Sequence, residues 1–536
     1  MYHSDIMLLL STLTFNIVQK KDIDTYKNDK DKKNQKDIDQ NLNNNNDDQS
    51  VKGAQTENSE KDHESIMTER LEKAYYNNLE ENKKRAEAVR QGMKHAWDSY
   101  VKYAWGNDEL KPSSRTSRHW FFMGLTIVDS LDTLYLMDLK EEYKKGRDWV
   151  ANQQNHHKQT NEYISVFESF IRLVGGYLTM YELTGQKDKM YLEKAKDIGD
   201  ILLDAWDTPG MAFPKPHLNV FKRETSTHPD KPHCLILADV GTTFLEYTHL
   251  SKVTGNPIYA EKAEKIREAM DSIPKKREGL YSIWLKDDAS GFCTDEYSAG
   301  AMADSFYEYL VKMWIYTGKQ NEDYRRMYLE SANGILDNLY FVSKRGEAYI
   351  TQLNYGNPSH NMEHLMCFAG GMFGLGAASK ITRNEAENER HWNAAIELTK
   401  TCVMTYLNTQ SGIGPEVTHF SDDGRMTPQL SHYILRPEVV ESVFVMYRLT
   451  GDPIYQEWGW TIFEAIEKHC RIESGYAGLQ DVNNPGRGND DLQQSFFMAE
   501  TLKYLYLLFA DPSIVPLDKY VFNTEAHPIP VTKIRS

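Results

Sequence analysis

The chain has 536 residues, 40% of them hydrophobic, so it is long enough for several average domains or for one large repetitive domain with a substantial core. Its formal net charge is −16, from 62 basic and 78 acidic side chains. This charge, with no basic stripe in the sequence, argues against a nucleic-acid partner and leaves sugars and other small polar substrates open.

The N-terminal part differs in composition from the rest. Residues 6–18, IMLLLSTLTFNIV, are too few for a comfortable membrane span but match the length of a signal-peptide core. We interpret residues 1–18 as a signal peptide or weak signal-anchor, the alternative being an apolar patch in a disordered tail. Residues 19–66 are rich in Lys, Asp, Asn and Gln and are interpreted as a disordered stem or linker. Residues 67–536 are expected to form one large folded domain.

From residue 69 onward one pattern returns: an apolar helix ending in Leu-Thr-Gly or a near variant, a short polar turn and an amphipathic helix. The glycines that end the first helices are Gly185, Gly255, Gly318 and Gly451, where a helix C-cap needs a left-handed residue. With weaker copies in the gap and at both ends, the pattern predicts about seven helical hairpins. The terminal units have apolar faces that would cap an open solenoid poorly, so we predict a closed all-α ring.

Acids begin several of the first helices. They are Glu168, Asp304, Glu438 and Glu500. In a ring of hairpins the starts of the inner helices meet at one end of the axis, so these acids should converge. Helix capping explains any single acid, but four in corresponding places favour a functional site. Glu441 shares a helix face with Glu438 because the two lie three residues apart.

Three other residues adjoin these acids in sequence or pattern. Arg172 lies four residues after Glu168, where it either forms an ordinary helix ion pair or fixes that acid in a site. Arg436 can hold a carboxylate by a bidentate contact. His364 lies among apolar residues, where a core histidine with satisfied hydrogen bonds is the commoner case. Clustered acids without a Cys or His ligand set allow glycoside hydrolysis by a carboxylate pair, a hard-cation site such as Ca²⁺, or both.

Seven motifs follow one another along the chain: GLTIVDSLDTLYLM, SVFESFIRLVGG, GAMADSFYEYLVK, MEHLMCFAGGMFGLGA, LRPEVVES, ETLKYLYLLF and VFNTEAHP. In this order, from about Arg70 to Pro528, they resemble the class I α-1,2-mannosidases of glycoside hydrolase family 47. The resemblance implies an (α/α)7 barrel, in agreement with the hairpin count. It also implies calcium-dependent removal, with inversion, of terminal α-1,2-linked mannose from high-mannose N-glycans.

The resemblance assigns roles to individual residues. Glu168 would be the general acid, Glu438 the base that activates water, and Asp304 a third essential acid. Thr524 would ligate Ca²⁺ through its hydroxyl and carbonyl oxygens, with water and sugar oxygens completing a shell of about six to eight ligands. Acids would lie behind that shell at Glu441, Glu500 and Glu525.

Sugar contacts are implied as well. The residues concerned are Arg172, Asp239, His364, Arg436 and Phe496. Phe496 would stack on a sugar face, although a plain core aromatic is the commoner case for such a residue. Cys367 and Cys402 match the disulfide pair of the family, which favours the lumen of the secretory pathway, in the Golgi or the endoplasmic reticulum. A monomer is expected, with or without a type II membrane anchor.

Three positions depart from the family pattern. Met302 stands where the endoplasmic-reticulum type carries an arginine and the Golgi type an apolar residue, which predicts Golgi-like removal of several mannoses. Asp239 replaces a glutamate and Gln494 stands where a glutamate is usual, so a weakly active glycan-binding relative in glycoprotein quality control is the alternative function. A purely structural helical-repeat scaffold is disfavoured, because burying unpaired axial acids without a function is costly.

Overall fold

The computed structural model describes residues 67–157, 161–207 and 210–532. The predictions for residues 1–18 and 19–66 therefore lie outside the described residues. The chain from Met67 onward belongs to one compact unit. Within the described ranges, every helix is too short or too polar to cross a membrane.

Fourteen helices of the described chain form a closed ring of seven inner and seven outer members, numbered in chain order. The outer helices are α1 (Leu79–Tyr103), α3 (Lys140–Asn152), α5 (Lys189–Leu202), α7 (Ile258–Ser272), α9 (Glu322–Asn338), α11 (Glu385–Leu407) and α13 (Pro453–His469). The inner helices are α2 (Leu125–Leu136), α4 (Gly175–Leu183), α6 (Phe244–Thr254), α8 (Asp304–Tyr316), α10 (Ala369–Ala378), α12 (Glu438–Thr450) and α14 (Leu502–Phe509). A further helix at residues 67–77 precedes them.

The ring closes between the two ends of the domain. Helix α14 packs against α1, so the first outer helix covers the last inner one, and the turn before α14 packs against α2. The predicted (α/α)7 barrel is therefore confirmed. Gly255 and Gly451 end their helices with φ of 72° and 68°, a left-handed conformation that costs glycine little.

Inner and outer helices differ in sequence because they differ in surroundings. Helix α8 has neighbours on all sides and is buried from Ser305 to its last residue, Tyr316. Helix α7 buries one stripe, which includes Tyr259, Ala263 and Ile266, and exposes charged residues elsewhere. This contrast is what makes the inner helix starts a dry, enclosed place for polar side chains.

The strands are short and lie in the loops, in five two-stranded and three three-stranded antiparallel sheets of the described chain. They are β1 (Glu109–Lys111), β2 (Thr116–Arg118), β3 (Ile164–Ser165), β4 (His217–Asn219), β5 (Glu224–Ser226), β6 (Cys234–Ile236), β7 (Trp284–Lys286), β8 (Glu296–Tyr297), β9 (Tyr340–Val342), β10 (Ala348–Ile350), β11 (Leu353–Asn354), β12 (Asn357–Pro358), β13 (Asn361–Glu363), β14 (Val417–Phe420), β15 (Met426–Leu430), β16 (Arg471–Ile472), β17 (Gly475–Tyr476), β18 (Tyr520–Phe522) and β19 (Pro528–Pro530).

The last hairpin fills the barrel interior. Strands β18 and β19 pair in the register Tyr520↔Pro530 and Phe522↔Pro528 and pack against the inner helices α8 and α4, respectively. Residues 523–527 form the turn. This hairpin carries Thr524 into the barrel, far in sequence from every other predicted site residue except Glu525.

Two disulfides crosslink the loops and helices. Cys367 and Cys402 are joined, as predicted, and tie the turn before α10 to α11. A second bridge, Cys234–Cys293, joins β6 to the segment after β7 and was not predicted, because nothing in the spacing of the cysteines pointed to it. Cys470 is buried and free.

Candidate active site

The acids singled out in the sequence lie at the N-terminal ends of inner helices. Asp304 and Glu438 are the first residues of α8 and α12. Glu168 ends the short helix Val166–Glu168, which continues through a π-helical turn into α4, and Glu500 lies in the corresponding π-helical turn before α14. Single π-helical turns inside helices are frequent at functional sites. The structure thus brings these acids to one end of the barrel.

Arg172 connects several of these carboxylates. Its Nε donates to Glu168 Oε2 at 2.7 Å, and its Nη1 donates to Asp129 Oδ2 at 3.1 Å and also to Glu525. The arginine side chain is only 9% exposed. An arginine shared by three acids is more than the simple helix ion pair considered from the sequence, because it fixes Glu168 relative to two other parts of the chain.

Glu438 has a different partner. Its Oε2 accepts a hydrogen bond from His364 Nδ1 at 2.7 Å, and His364 Nε2 then accepts from the Tyr406 hydroxyl at 2.6 Å. Burial alone would raise the pKa of Glu438, but His364 and Arg436 outweigh it, so the pKa lies below its ordinary value. Glu438 is therefore ionised at neutral pH, the state that a general base needs. His364 is buried with both ring nitrogens bonded, as a core histidine would be, yet its partner is a site acid.

Arg436 holds a carboxylate, as its sequence position suggested, but the main partner is one that sequence reasoning missed. Its Nε lies 2.8 Å from both carboxylate oxygens of Glu416, whereas its Nη1 is 3.8 Å from Glu438 Oε1. Glu416 comes from the segment before β14 and carries no motif signal. Arg436 thus lies between Glu416 in the segment before β14 and Glu438 at the start of α12.

Asp304 is in the opposite electrostatic situation to Glu438. Burial raises its pKa to about 8, with the nearby charges of Glu308, Glu438 and Glu363 adding to the shift. Asp304 is therefore protonated at neutral pH while Glu438 is ionised. Two acids whose surroundings push their pKa values apart are the usual signature of an acid and a base working together.

Asp239 and Met302 are neighbours. Asp239 lies in the short helix Leu237–Gly241, and Ala238 N in that helix donates to Met302 O at 2.9 Å. Met302 has φ of 73°, a strained conformation for a residue with a side chain. Burial and the charge of Glu168 raise the pKa of Asp239 to about 7. Met302 and Asp239 are two of the three positions that depart from the family pattern. A backbone hydrogen bond between Ala238 and Met302 thus joins their segments near the predicted acid.

Thr524 is held at the tip of the last hairpin. Its N–H donates to the Tyr309 hydroxyl at 3.3 Å. Asn523 beside it donates from Nδ2 to Ile171 O at 2.8 Å and to Glu246 Oε1 at 2.9 Å. These contacts join the turn to the segments that begin α4, α6 and α8. Thr524 is therefore positioned between inner helices rather than at a free surface.

The acids behind this tip would repel one another if all of them were ionised. Burial raises the pKa values of Glu441, Glu500 and Glu525, that of Glu441 to about 8. Neighbouring carboxylates add to each shift. Such acids fit a hard cation, which prefers oxygen ligands and would offset their repulsion. The described residues contain no cluster of three or more His, Cys, Asp or Glu side chains arranged to hold a metal.

Phe496 and Gln494 lie in the segment before α14, and both are partly exposed. Phe496 is partly exposed, packs against the core and has its ring centroid 5.8 Å from the Arg172 guanidinium carbon. Gln494 is also partly exposed, and its carbonyl accepts from Phe497 N at 3.1 Å. Phe496 thus packs against the core and is also partly exposed, which is compatible with a core aromatic and with a residue that stacks on a sugar.

Sequence reasoning missed a buried layer under the site. Asp129 Oδ1 and Asp132 Oδ2 lie 3.2 and 3.0 Å from the two ring nitrogens of His527, and Lys503 Nζ donates to Asp132 at 2.7 Å. Asp129 also holds Arg172. The signal was present in the sequence: two acids three residues apart inside an otherwise apolar inner helix have to be paired internally.

Comparisons with known proteins agree with this architecture. The sequence profile of glycosyl hydrolase family 47 matches residues 92–531. The chain belongs to glycosyl hydrolase family 47. Among family 47 relatives, it is 44% identical over 460 residues to mannosyl-oligosaccharide alpha-1,2-mannosidase IA of Spodoptera frugiperda, covering 84% of this chain and 68% of the relative.

Other family 47 proteins give the same result. The chain is 44% identical to mannosyl-oligosaccharide 1,2-alpha-mannosidase MNS1 of Arabidopsis thaliana, covering 84% of this chain and 79% of that protein. The solved structure of an alpha-1,2-mannosidase from Trichoderma reesei superimposes with a TM-score of 0.77 at 30% identity, covering 84% of this chain and 99% of that one. The resemblance seen in the motifs is therefore confirmed at the level of family and fold.

Proposed function

We propose that the protein is a calcium-dependent, inverting exo-α-1,2-mannosidase that trims terminal α-1,2-linked mannose from high-mannose N-glycans of glycoproteins. The observation that carries the proposal is the convergence of Glu168, Asp304 and Glu438 at one end of the barrel, where Arg172 holds Glu168 and His364 holds Glu438. Glu438 has a lowered pKa, while that of Asp304 is raised to about 8. The names of the family 47 relatives supply the substrate class.

Glu438 is the general base. Inversion requires a base that deprotonates a water on the face of the sugar opposite the leaving group, with the acid and base carboxyls about 6.5–9.5 Å apart. His364 and Arg436 keep Glu438 ionised for this task and fix its orientation.

The proton for the leaving oxygen comes from the opposite side. Motif resemblance assigns the acid to Glu168, and Arg172 holds that carboxylate in place. Asp304 has a raised pKa and therefore carries a proton at neutral pH. In this proposal Glu168 is the acid, and Asp304, which lies close enough to Glu438 to feel its charge, is the essential third carboxyl.

Thr524 would hold the calcium ion through its hydroxyl and carbonyl oxygens, with Glu441, Glu500 and Glu525 behind the ligand shell. When bound, the ion supplies a Lewis acid that lowers the pKa of a bound water and orients sugar hydroxyls. The sugar site would be lined by side chains of the chain itself: Arg172, Asp239, His364, Arg436 and Phe496.

The compartment is part of the proposal. Disulfides persist in oxidising compartments, and the described chain has two, which supports the lumen of the secretory pathway. The apolar side chain of Met302 favours Golgi-like trimming of several mannoses.

The test uses the purified protein with a free high-mannose N-glycan, with Ca²⁺ or with a chelator, following mannose loss by mass spectrometry and the anomer of released mannose by NMR. We expect calcium-dependent release with inverted configuration. Tight glycan binding without release would favour the weakly active quality-control relative, since Asp239 and Gln494 depart from the family pattern. Release of mannose with retained configuration would contradict the base role of Glu438.

A further inference from the structure

His228 and Asp239 face each other without a bond. His228 Nε2 lies 3.8 Å from Asp239 Oδ2, beyond hydrogen-bond distance. That nitrogen is buried and has no hydrogen-bond partner among the described residues. Only burial and the charge of Glu168 act on the pKa of Asp239, so no described donor holds its carboxylate. A buried polar atom without a partner in a native site requires an explanation.

The surroundings of His228 keep its ring fixed and neutral. Its ring packs edge-on against His217 and Trp284, with both pairs of ring centroids 5.4 Å apart. Burial lowers the pKa of His228. A neutral imidazole can donate a hydrogen bond from one ring nitrogen to a carboxylate. A rotation of the Asp239 side chain would bring its carboxylate oxygen within hydrogen-bond distance of His228 Nε2. Asp239 is 22% exposed and so is open to a ligand on its other side.

The position of this pair identifies the part of the ligand that it meets. The short helix that carries Asp239 packs against Val166–Glu168, the helix that ends at the proposed acid. Groups beside the acid face the leaving-group sugar, because the acid delivers its proton to the leaving oxygen. A carboxylate that accepts a hydrogen bond from a sugar hydroxyl there would need a second contact to fix its orientation.

We propose that His228 is a positioning residue that holds the Asp239 carboxylate through Nε2 when the leaving-group sugar of the glycan is bound, so that the pair recognises a hydroxyl of that sugar. This inference rests on the proposed function. It adds a recognition element from the loop before β6, a segment that no motif includes.

The test compares the full-length wild type with His228→Asn, His228→Gln, Asp239→Asn and the double variant His228→Asn/Asp239→Asn. Kinetics are measured on the free high-mannose N-glycan with Ca²⁺. Glutamine places an N–H near the position of Nε2, whereas asparagine does not reach it, so His228→Gln is the matched control. Thermal unfolding is recorded for each variant.

We expect His228→Asn and Asp239→Asn each to raise KM about tenfold with little change in kcat, as for the loss of one hydrogen bond to the substrate. The double variant should be no worse than the poorer single variant, because both residues act on one contact. His228→Gln should stay within about threefold of the wild type. A misfolded fraction would lower kcat and leave KM unchanged, so it cannot imitate this result.

An unchanged KM in His228→Asn, independent losses that multiply in the double variant, or His228→Gln behaving like His228→Asn would each overturn the inference. If the wild type itself releases no mannose, the proposed function fails separately. The same variants are then compared for glycan binding by calorimetry. The same order of Kd values would support the pair, and a wild-type Kd for His228→Asn would refute it.

Discussion

Glu438 shows how single contacts decide protonation at the site. Burial works against its ionised form, and the hydrogen bond from His364 together with the charge of Arg436 reverses that effect. On the acidic side, activity should therefore fall only as the pH drops through a pKa that lies below the ordinary value for a glutamate.

Replacing His364 by asparagine should raise the pKa of Glu438, because its main hydrogen-bond donor is removed while its burial remains. The acidic limb of the kcat/KM profile should move to higher pH, so activity at pH 5 falls more than at pH 7. The matched control is His249→Asn, a buried histidine between Glu182 Oε1 at 3.0 Å and the Tyr316 hydroxyl at 3.1 Å. That variant should lower stability without moving the limb. An unmoved limb in His364→Asn would show that another group governs it.

Met302 is the residue at which specificity is expected to be set. A long cation introduced beside Asp239 would occupy space needed by branches of the glycan and pair with that carboxylate. Met302→Arg should therefore stop trimming after fewer mannoses, as followed by mass spectrometry at matched conversion. Met302→Leu keeps an apolar side chain and should leave the product distribution unchanged. Identical distributions for Arg and wild type would contradict the role of this position.

At the scale of elements, the hairpin β18–β19 brings Thr524, which lies on none of the inner helices, against the inner helix α8. Thr524→Ala removes one of two proposed calcium ligands and leaves the backbone carbonyl. We expect calcium affinity to fall about 10–100-fold, measured as the calcium concentration that raises Tm, with a parallel loss of activity. Thr524→Ser retains the hydroxyl and should stay close to wild type. Unaltered calcium stabilisation in Thr524→Ala would place the ion elsewhere.

The Cys367–Cys402 bridge links two elements of one hairpin across a sequence separation of 35 residues. Replacing both cysteines by alanine should lower the free energy of unfolding by about 2–4 kcal/mol, since the crosslink restricts the unfolded chain. Denaturant unfolding measures this change. Cys470→Ala removes a buried free thiol without a crosslink and should cost less. Equal losses in the two variants would mean that packing, not the crosslink, carries the effect.

On the scale of the whole molecule, the closed ring explains why distant residues form one site. Seven inner helices run in the same direction, so their N-terminal ends gather acids from residue 168 to residue 500 at one opening. Closure also buries those acids, and burial is the main cause of the raised pKa values of Asp304 and Glu500. The fold therefore produces both the convergence of the acids and the electrostatic difference between Asp304 and Glu438.

The sequence by itself determined the architecture. Apolar periodicity, left-handed glycines at helix ends and acids at helix starts are local signals, and their repetition along the chain predicts about seven hairpins. The acids at the helix starts singled out Glu168 and Glu438, whereas the motifs determined the family and with it the choice of Thr524.

Only the tertiary structure decided the partners of those residues. Three contacts join segments that are distant in sequence: Glu416 with Arg436 across 20 residues, His364 with Glu438 across 74, and Asp129 with Arg172 across 43. No local propensity encodes such pairs, because they depend on how the ring closes and which loops meet above it. The same is true of the 3.8 Å distance between His228 Nε2 and Asp239 Oδ2. It follows from how the loop before β6 packs against the short helix that carries Asp239, and neither segment alone determines it.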